Sequence, residues 1–221
     1  MEVAHLVLRK TLFLSLIACL ATLAASANES GFRPLFDGKT LNGWRTVDAR
    51  GAAWEATEGM IVCPTNCGGK LMTEEEFDNF VLRIEYRIQA GGNNGVNIRA
   101  PFEGRPAYAG MEIQILDDES GEWRSRTRPE QRTGSIYGVL PARSGFALPT
   151  GEWNELEITA RDREISVRLN KVIVLDGNLD IIREKDILDK HPGLLRPKGH
   201  IGLLGHGTRT EFRNLRVKPL R

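Results

Sequence analysis

Apolar and polar side chains alternate along most of the chain after residue 27, and this pattern predicts β-strands. In VLRIEYRI (81–88) every second side chain from Leu82 onward is apolar or aromatic, and charged side chains stand between them. A similar period of two recurs in GVNIRA, MEIQIL, WNELEITA, EISVRL, HIGLLG and TEFRNLRV. Because successive side chains of a strand point to opposite faces, each segment is expected to present one face to a core.

Turn-forming residues separate these segments, and helical signals are few. Clusters such as DGKTLNG, AGGNNG and ARSG lie between the predicted strands. Asn170-Lys171 predicts a two-residue hairpin turn between strands 164–169 and 172–175. Only TEEEFDNF (73–80) and NLDIIREKDILDKH (178–191) favour short helices. Many short strands with few helices indicate an all-β fold, an antiparallel β-sandwich, in a single domain over residues 28–221.

Residues 1–27 have the composition of an export signal. Arg9-Lys10 precedes a continuous apolar run that ends in Ala25-Ser26-Ala27, and this run is too short for a comfortable membrane span. We therefore predict a cleaved signal peptide over 1–27 and an exported protein, either periplasmic or secreted. The alternative is lipid anchoring through Cys19, because Leu16-Ile17-Ala18-Cys19 resembles a bacterial lipobox. The apolar run continues past Cys19, which argues against that alternative.

Charge and cysteine content narrow the classes of ligand. Without residues 1–27 the chain has as many basic as acidic residues, so no basic stripe remains to neutralise phosphates and nucleic acid is not an expected partner. No pattern points to a protein partner. Cys63 and Cys67, within CPTNC, predict a local disulfide in an oxidising compartment, since no further metal ligands stand beside them.

The segment MEIQILDD (111–118) places a glutamate and a glutamine on an otherwise apolar strand. Glu112 and Gln114 would share one face about 6.5–7 Å apart, so both could contact one small ligand. Asp118 would lie about 20 Å from Glu112 on a regular strand. That is too far for the acid pair of a retaining glycosidase, which is about 5 Å apart. Asp117 has the opposite orientation and could join Glu112 only through a bend. Glu112 and Gln114 are therefore predicted to form the floor of a site, and a solvated sheet face is the alternative.

The preceding strand and one histidine could complete such a site. GVNIRAP (95–101) carries Asn97 and Arg99 on one face, and if it pairs with 111–116, Arg99 would face Glu112 or Gln114. That arrangement could be an ion pair or a hydrogen-bonding floor for a polyhydroxylated ligand. His206 lies between two glycines, which permit close backbone approach, so it is a candidate general base or metal ligand as well as a turn residue. Signatures of serine nucleophiles, nucleotide binding and zinc proteases are missing from the sequence.

Seven stretches in a fixed order carry a resemblance to a known family. They are GFRPLFDGKTLNGW (31–44), GGKLMTEEEFDNFVLRIEYR (68–87), GGNNGVNIR (91–99), GMEIQILDD (110–118), TGSIYG (133–138), GEWNELEI (151–158) and GHIGLLGHGTRTEFRNLRVKPL (199–220). Together they resemble the bacterial 3-keto-disaccharide hydrolases, also described as 3-keto-glucoside lyase/hydratases. The resemblance spans essentially the whole chain after the signal. It implies a concanavalin A-like jelly-roll β-sandwich with one or two short helices, which agrees with the alternation.

The resemblance also implies a chemistry that can be argued from the substrate. A ketone at C3 of a glycoside acidifies the proton on C2, and a base that removes this proton gives an enediolate that expels the C1 substituent. Water then adds to the resulting glucal. Such a site needs one base with a suitable pKa and a positive group for the developing oxyanion. The positive group could be Arg99 or a divalent metal ion. The resemblance implies no other cofactor.

The polar residues characteristic of the family have counterparts at individual positions of this sequence. These are Asn94, Arg99, Glu112, Gln114, Asp117, Tyr137 and His206. The resemblance implies His206 or Glu112 as base, Arg99 with Gln114 as contacts for the enediolate and hydroxyls, and Asn94 and Tyr137 as residues that orient the sugar. The expected ligand is a 3-keto-glycoside.

The sequence departs from the family near its histidine. Where the family usually reads Leu-Gln-Asp-His-Gly, this chain has Leu203-Leu204-Gly205-His206-Gly207, and it has Asn93-Asn94-Gly95 for the usual Asn-Ser-Gly. The first change removes an amide and a carboxylate beside His206. It therefore favours an alternative function, a carbohydrate-binding module that kept the sandwich and lost the chemistry.

Overall fold

The computed structural model describes residues 31–221, and Arg33–Arg221 form one compact unit. The predicted signal peptide and Cys19 lie outside these residues, so export remains a prediction. Between residues 31 and 221 no helix is both long enough and apolar enough to cross a bilayer.

The described chain is built mainly from strands. In chain order they are β1 (Arg33–Pro34), β2 (Trp44–Gly51), β3 (Glu55–Thr57), β4 (Met60–Cys63), β5 (Cys67–Phe77), β6 (Phe80–Ile88), β7 (Asn93–Ala100), β8 (Met111–Leu116), β9 (Asn154–Arg161), β10 (Glu164–Leu169), β11 (Val172–Asn178), β12 (Gly199–His206) and β13 (Thr210–Pro219). The helices are α1 (Pro106–Ala109), α2 (Gly121–Arg124) and α3 (Lys185–Lys190), with 3-10 turns at Pro129–Gln131, Leu179–Ile181 and Pro192–Leu195.

The strands form two antiparallel sheets. The larger sheet has the order β11-β10-β9-β6-β13-β4-β3, with β1 added to β13, and the smaller has the order β2-β5-β12-β7-β8. Apolar side chains such as Leu71 and Ile113 of the smaller sheet and Leu82 and Phe212 of the larger belong to one buried cluster. Each such burial stabilises the fold by about 1.5–3 kcal/mol. The prediction of an all-β antiparallel sandwich is confirmed.

Local predictions had mixed outcomes. Leu169 pairs with Val172 across Asn170-Lys171, and both turn residues have positive φ, 47° and 71°, as a two-residue turn of type I′ requires. The helix predicted over 178–191 is found as the 3-10 turn and α3. The helix predicted over 73–80 is wrong, because β5 runs on through Phe77, which pairs with Gly199 of β12. Tertiary pairing overrides the helix preference of the glutamates there.

The two cysteines are free and buried, so the predicted disulfide is not formed. The Cys63 thiol lies 3.7 Å from the carbonyl oxygen of Cys67. Burial raises the pKa of both thiols, which keeps them protonated and unreactive at neutral pH.

Folded protein at pH 8 is therefore expected to leave Cys63 and Cys67 unmodified by iodoacetamide, whereas unfolding in guanidinium without a reductant should expose both to alkylation. Intact mass before and after unfolding measures this. An unfolded protein that stays unlabelled until a reductant is added would instead indicate the disulfide.

Candidate active site

The face of the smaller sheet that points away from the core carries a row of polar side chains. Asn97 of β7 pairs with Glu112 of β8, and Gln114 lies two residues further along β8. Their neighbours Met111, Ile113 and Ile115 belong to the core cluster, so Glu112 and Gln114 point outward. Asn97, Glu112 and Gln114 are nevertheless only 0%, 6% and 2% exposed. The predicted polar floor therefore exists, and it is enclosed by protein.

The Glu112 side chain leans across the sheet over Gly95. A Cβ atom at Gly95 would lie 2.5 Å from Oε1 of Glu112, so only glycine leaves room for the carboxyl group at this point. Burial alone raises the pKa of Glu112 from 4.5 to about 8. No basic side chain of the described residues forms an ion pair with it within 4.0 Å. Glu112 is thus a carboxylic acid that holds its proton at neutral pH.

Neighbouring amides have hydrogen-bonding capacity left over. Neither the side-chain oxygen nor the side-chain nitrogen of Asn97 has a partner among residues 31–221, and Oε1 of Gln114 also lacks one. Nδ2 and Oδ1 of a fully buried asparagine without partners cost about 1–3 kcal/mol each. Ordered water, an ion or a ligand can supply the missing partners of such buried groups.

A cleft of about 420 Å³ opens on the same face beside this floor. It is lined by Asp48, Arg50, Asn66, Cys67, Gly68, Gly69, Lys70, Pro106, Leu204, Gly205, His206 and Gly207. His206 is exposed to the cleft, yet the surrounding protein displaces part of its hydration and lowers the pKa of the imidazole. His206 is therefore neutral at neutral pH.

Strand register relates His206 to the Glu112 carboxyl group. Gly202 and Leu203 of β12 pair with Asn97 and Val96 of β7, so the same register sets Leu204 opposite Gly95 and His206 two residues beyond. With about 4.8 Å between strands and about 3.4 Å per residue, the Cα atoms of Gly95 and His206 are about 8 Å apart. Since the Glu112 carboxyl group lies over Gly95, Glu112 and His206 belong to the same outer face of the smaller sheet, with Glu112 buried and His206 exposed to the cleft.

A buried lysine, Lys70, holds the loop between β7 and β8 against the smaller sheet. Nζ of Lys70 donates to the carbonyl oxygens of Phe102 at 2.6 Å and Gly104 at 3.0 Å, and it lies 3.0 Å from Oδ2 of Asp48. These three contacts use all three N–H groups of the ammonium. Lys70 therefore holds the roof of the cleft and has no donor left for a ligand.

Arg99 does not face Glu112 or Gln114, so that expectation is wrong. Its Nε donates to the carbonyl oxygen of Asp78 at 2.9 Å, and Nη1 donates to that of Asp162 at 2.6 Å. Nη2 donates to the side-chain oxygen of Asn79 at 3.1 Å. The reason is a φ of 48° at Arg99, which breaks the alternation of β7 and turns the side chain to the edge of the sandwich. Arg99 ties two hairpin turns together there.

Three further residues predicted for the site are not part of the polar floor. Asn94 points inward, where its Nδ2 donates to Oγ1 of Thr210 at 3.2 Å, so it cannot orient a sugar on the outer face. Asp117 accepts from the backbone of Gly91 at 2.8 Å and lines a separate cavity of about 280 Å³. Tyr137 is beside the site, because its N–H donates to the carbonyl oxygen of Glu112 at 2.9 Å. Its hydroxyl accepts from Gln131 at 2.8 Å.

Comparison with known proteins identifies the family. A family model described as the 3-keto-alpha-glucoside-1,2-lyase-like domain matches residues 31–218. The chain belongs to this family. A relative in Bacteroides thetaiotaomicron, named 3-keto-disaccharide hydrolase, is 29% identical over 237 aligned positions, which cover 90% of this chain and 82% of the relative. The sequence resemblance is thereby confirmed.

Solved structures agree on the fold of this 3-keto-glucoside lyase-like domain. A candidate glycosyl hydrolase from Parabacteroides distasonis has 27% sequence identity and a TM-score of 0.72, with 86% of this chain and 99% of the other covered. The carbohydrate-binding module CBM66 from Bacillus subtilis has 13% identity and a TM-score of 0.51, covering 80% of this chain and 95% of the other. The predicted jelly-roll sandwich is confirmed.

The departure from the family beside His206 has a structural explanation. Leu204 shares the outward orientation of His206 and lies in the cleft wall, so an amide is lost from the cleft at this position. Gly205 faces inward instead, where an added Cβ would lie 2.9 Å from Sγ of Cys63. The missing carboxylate would therefore point to the core and not into the cleft.

The side chains present do not fit a protein-held metal ion. Within residues 31–221 no group of three or more histidine, cysteine, aspartate or glutamate side chains is arranged to bind one. A divalent cation would need most of its ligands from substrate and water. Binding of a divalent metal ion stays a prediction.

Sequence reasoning missed three residues near the site. Arg50 and Lys70 line the cleft, and the alternation in CGGKLM could have placed Lys70 on the polar face. His191 is 2% exposed, and its Nδ1 lies 2.9 Å from the carbonyl oxygen of Ala107. Because a carbonyl only accepts, Nδ1 carries the proton. Desolvation lowers the pKa of His191, so the fold holds it neutral.

Substitution of Gly95 by alanine is expected to displace the Glu112 carboxyl group. The added Cβ would overlap Oε1 at 2.5 Å, so we expect a loss of about 1–3 kcal/mol in the free energy of unfolding and a clear fall in activity. Gly121→Ala is the matched control, because nothing lies within 4 Å of that position. Thermal unfolding and turnover of both variants give the comparison, and equal behaviour would contradict the position of Glu112.

Proposed function

We propose that this protein is an exported enzyme that cleaves 3-keto-glycosides by elimination and hydration, with a carbohydrate as its small-molecule ligand. The observation that carries the proposal is the placement of Glu112 and His206 on one face of the smaller sheet, with pKa values displaced in opposite directions. Family membership and the similarity to a named 3-keto-disaccharide hydrolase support the substrate class.

The two pKa shifts assign the acid and the base. Burial raises the pKa of Glu112 to about 8, so at neutral pH this group can donate a proton. Desolvation lowers the pKa of His206, so its imidazole is neutral and can accept one. Two titratable groups whose environments separate their pKa values in this way are the usual acid–base pair of an active site. Glu112 therefore acts as general acid and His206 as general base.

The steps balance with these two groups. His206 takes the proton from C2, and the electron pair moves onto the C3 carbonyl to give an enediolate. The C3 carbonyl then re-forms as the C1–C2 double bond forms and the C1–oxygen bond breaks. The leaving oxygen takes the proton of Glu112. Water then adds to C1 and gives a proton to the Glu112 carboxylate, while the His206 imidazolium returns its proton to C2. The enzyme regains its starting protonation, and the net reaction is hydrolysis of the glycoside.

Buried amides supply orientation. Asn97 has a free donor and a free acceptor, and Gln114 has a free acceptor, so sugar hydroxyls can satisfy all three atoms. Their pairing on binding would remove the cost of the unpaired groups and favour a polyhydroxylated ligand over an apolar one.

The test is incubation of the purified protein with p-nitrophenyl 3-keto-β-glucoside and with the unoxidised glucoside, each with added divalent metal or with a chelator. We expect release of p-nitrophenol from the keto compound alone. Release from both would indicate an ordinary glycosidase. Saturable binding without release would support the alternative, a carbohydrate-binding module. Mass analysis of the exported protein would locate the signal cleavage site.

A further inference from the structure

Arg50 lies in a row that crosses the floor of the cleft. Its partner across β2 and β5 is Gly68, and Gly68 in turn pairs with His206 across β5 and β12. The outward position between Arg50 and His206 therefore has no side chain. An added Cβ at Gly68 would lie 3.3 Å from Cβ of Arg50, which shows that the Arg50 side chain starts on this outer face.

The Arg50 guanidinium is the cation of the cleft that retains its donors. Within the described residues 31–221 it has no hydrogen-bond or ion-pair partner, whereas the Lys70 ammonium is fully used by Asp48 and two backbone carbonyls. Arg99, the cation that the sequence favoured, donates to Asp78, Asn79 and Asp162 at the edge of the sandwich. Of these three cations, Arg50 alone is available to a ligand beside His206.

The order of groups across the sheet matches the order of atoms in the reaction. The Glu112 carboxyl group lies over β7, His206 is on β12, and Arg50 is on β2 beyond the gap at Gly68. Arg50 and His206 are two strands apart, about 10 Å between Cα atoms. A sugar whose C1 oxygen meets Glu112 and whose C2 meets His206 therefore extends its C3 oxygen toward Arg50.

We propose that Arg50 binds the O2 and O3 atoms of the enediolate that forms when C2 loses its proton. These two oxygens are on adjacent carbons. The developing negative charge resides on O3, and the neighbouring O2 hydroxyl oxygen can accept a second hydrogen bond. A guanidinium group presents parallel N–H donors in a plane, which suits two neighbouring oxygens better than an ammonium does. This inference rests on the proposed function, and it replaces Arg99 as the source of positive charge.

Arg50→Ala is expected to lower kcat for p-nitrophenyl 3-keto-β-glucoside by about 100-fold, the typical effect of removing one oxyanion-binding group. KM should change little, because the charge exists only after C2 is deprotonated. Arg50→Lys should recover part of kcat, and added guanidinium should raise the rate of Arg50→Ala but not of the wild type. Arg183→Ala is the control, an exposed arginine outside the cleft.

Several outcomes would overturn the inference. If Arg50→Ala keeps kcat within a few-fold of the wild type, or loses affinity alone, Arg50 does not stabilise the enediolate. Absence of rescue by guanidinium in an otherwise folded variant would also count against it. If the wild type releases no p-nitrophenol from the keto compound, the proposed function and this inference fail together. If the wild type is active and the kcat of Arg50→Ala is unchanged, only the inference about Arg50 fails and the proposed function stands.

Discussion

Glu112→Gln is expected to lower kcat by about 10²–10⁴-fold, because glutamine keeps the shape of the side chain but has no acidic proton to give. The loss should shrink as the leaving group becomes a better one. A nitrophenolate leaves with little help, whereas an alkoxide or a second sugar needs the proton. A His206→Gln variant should show no such dependence, since it lacks the base. A series of 3-keto-glucosides with leaving groups of graded pKa measures both trends.

The pH dependence separates acid from base. If Glu112 is the general acid, kcat/KM falls as the pH rises through about 8, the pKa of the buried group. If Glu112 were the base, kcat/KM would rise over the same range. The acidic limb should follow protonation of His206, whose pKa lies below its ordinary value. A rising alkaline limb would reverse the assignment.

Glu112→Gln should raise the stability of the fold at alkaline pH although it lowers activity. The folded protein keeps the Glu112 proton up to pH 8, whereas the unfolded chain loses it near 4.5. The unfolded state therefore binds fewer protons between these values, and stability falls as the pH rises, by at most about 1.4 kcal/mol per pH unit. Glu112→Gln removes this penalty, so it should unfold at higher temperature than the wild type at pH 8. Glu164→Gln, an exposed substitution on β10, should change neither property.

Arg99→Met is expected to destabilise the fold by about 3–5 kcal/mol, the usual cost when a buried charged partner is removed and its acceptors are left unpaired. The acceptors are the carbonyl oxygens of Asp78 and Asp162 and the side chain of Asn79. Arg99 is 1% exposed, so water cannot take its place without rearrangement.

The same variant separates structure from catalysis. At a temperature where Arg99→Met remains folded, its kcat should equal that of the wild type, because its side chain is remote from the cleft. Arg183→Met gives the baseline for an exposed arginine. Denaturant unfolding and turnover on the same samples provide the measurement. A stable Arg99→Met variant with strongly reduced kcat would instead indicate that Arg99 acts in catalysis.

The period of two was sufficient to predict most of the fold and part of the site. Alternation places Glu112, Gln114 and Asn97 on one face because side-chain direction in a strand depends only on local backbone geometry. It fails at Arg99, where a positive φ reverses the direction, and at 73–80, where pairing with β12 decides the structure. Neither event leaves a local signal in the sequence.

The relative positions of residues on different strands could not be predicted from the sequence, for a different reason. His206 and Glu112 are far apart along the chain, and the register of β12 on β7 and of β7 on β8 places both on the same face of the smaller sheet. The pKa shifts depend on burial by distant segments as well. Glu112 and His206 could therefore be named as candidates in advance, whereas the roles proposed for them as acid and base, and the proposal of Arg50 in place of Arg99, needed the three-dimensional arrangement.

The contact between Gly205 and Cys63 restricts how this lineage can change. The Cβ atom of an aspartate at position 205 would lie 2.9 Å from the sulfur of Cys63 and 3.2 Å from the carbonyl oxygen of Cys67. Gly205→Asp is thus expected to be deleterious alone, and tolerated only after Cys63 has become smaller. The two positions are therefore expected to be epistatic, because aspartate at position 205 is tolerated in one order of mutations and not in the other. Among homologues, a small residue at one position should accompany a larger one at the other.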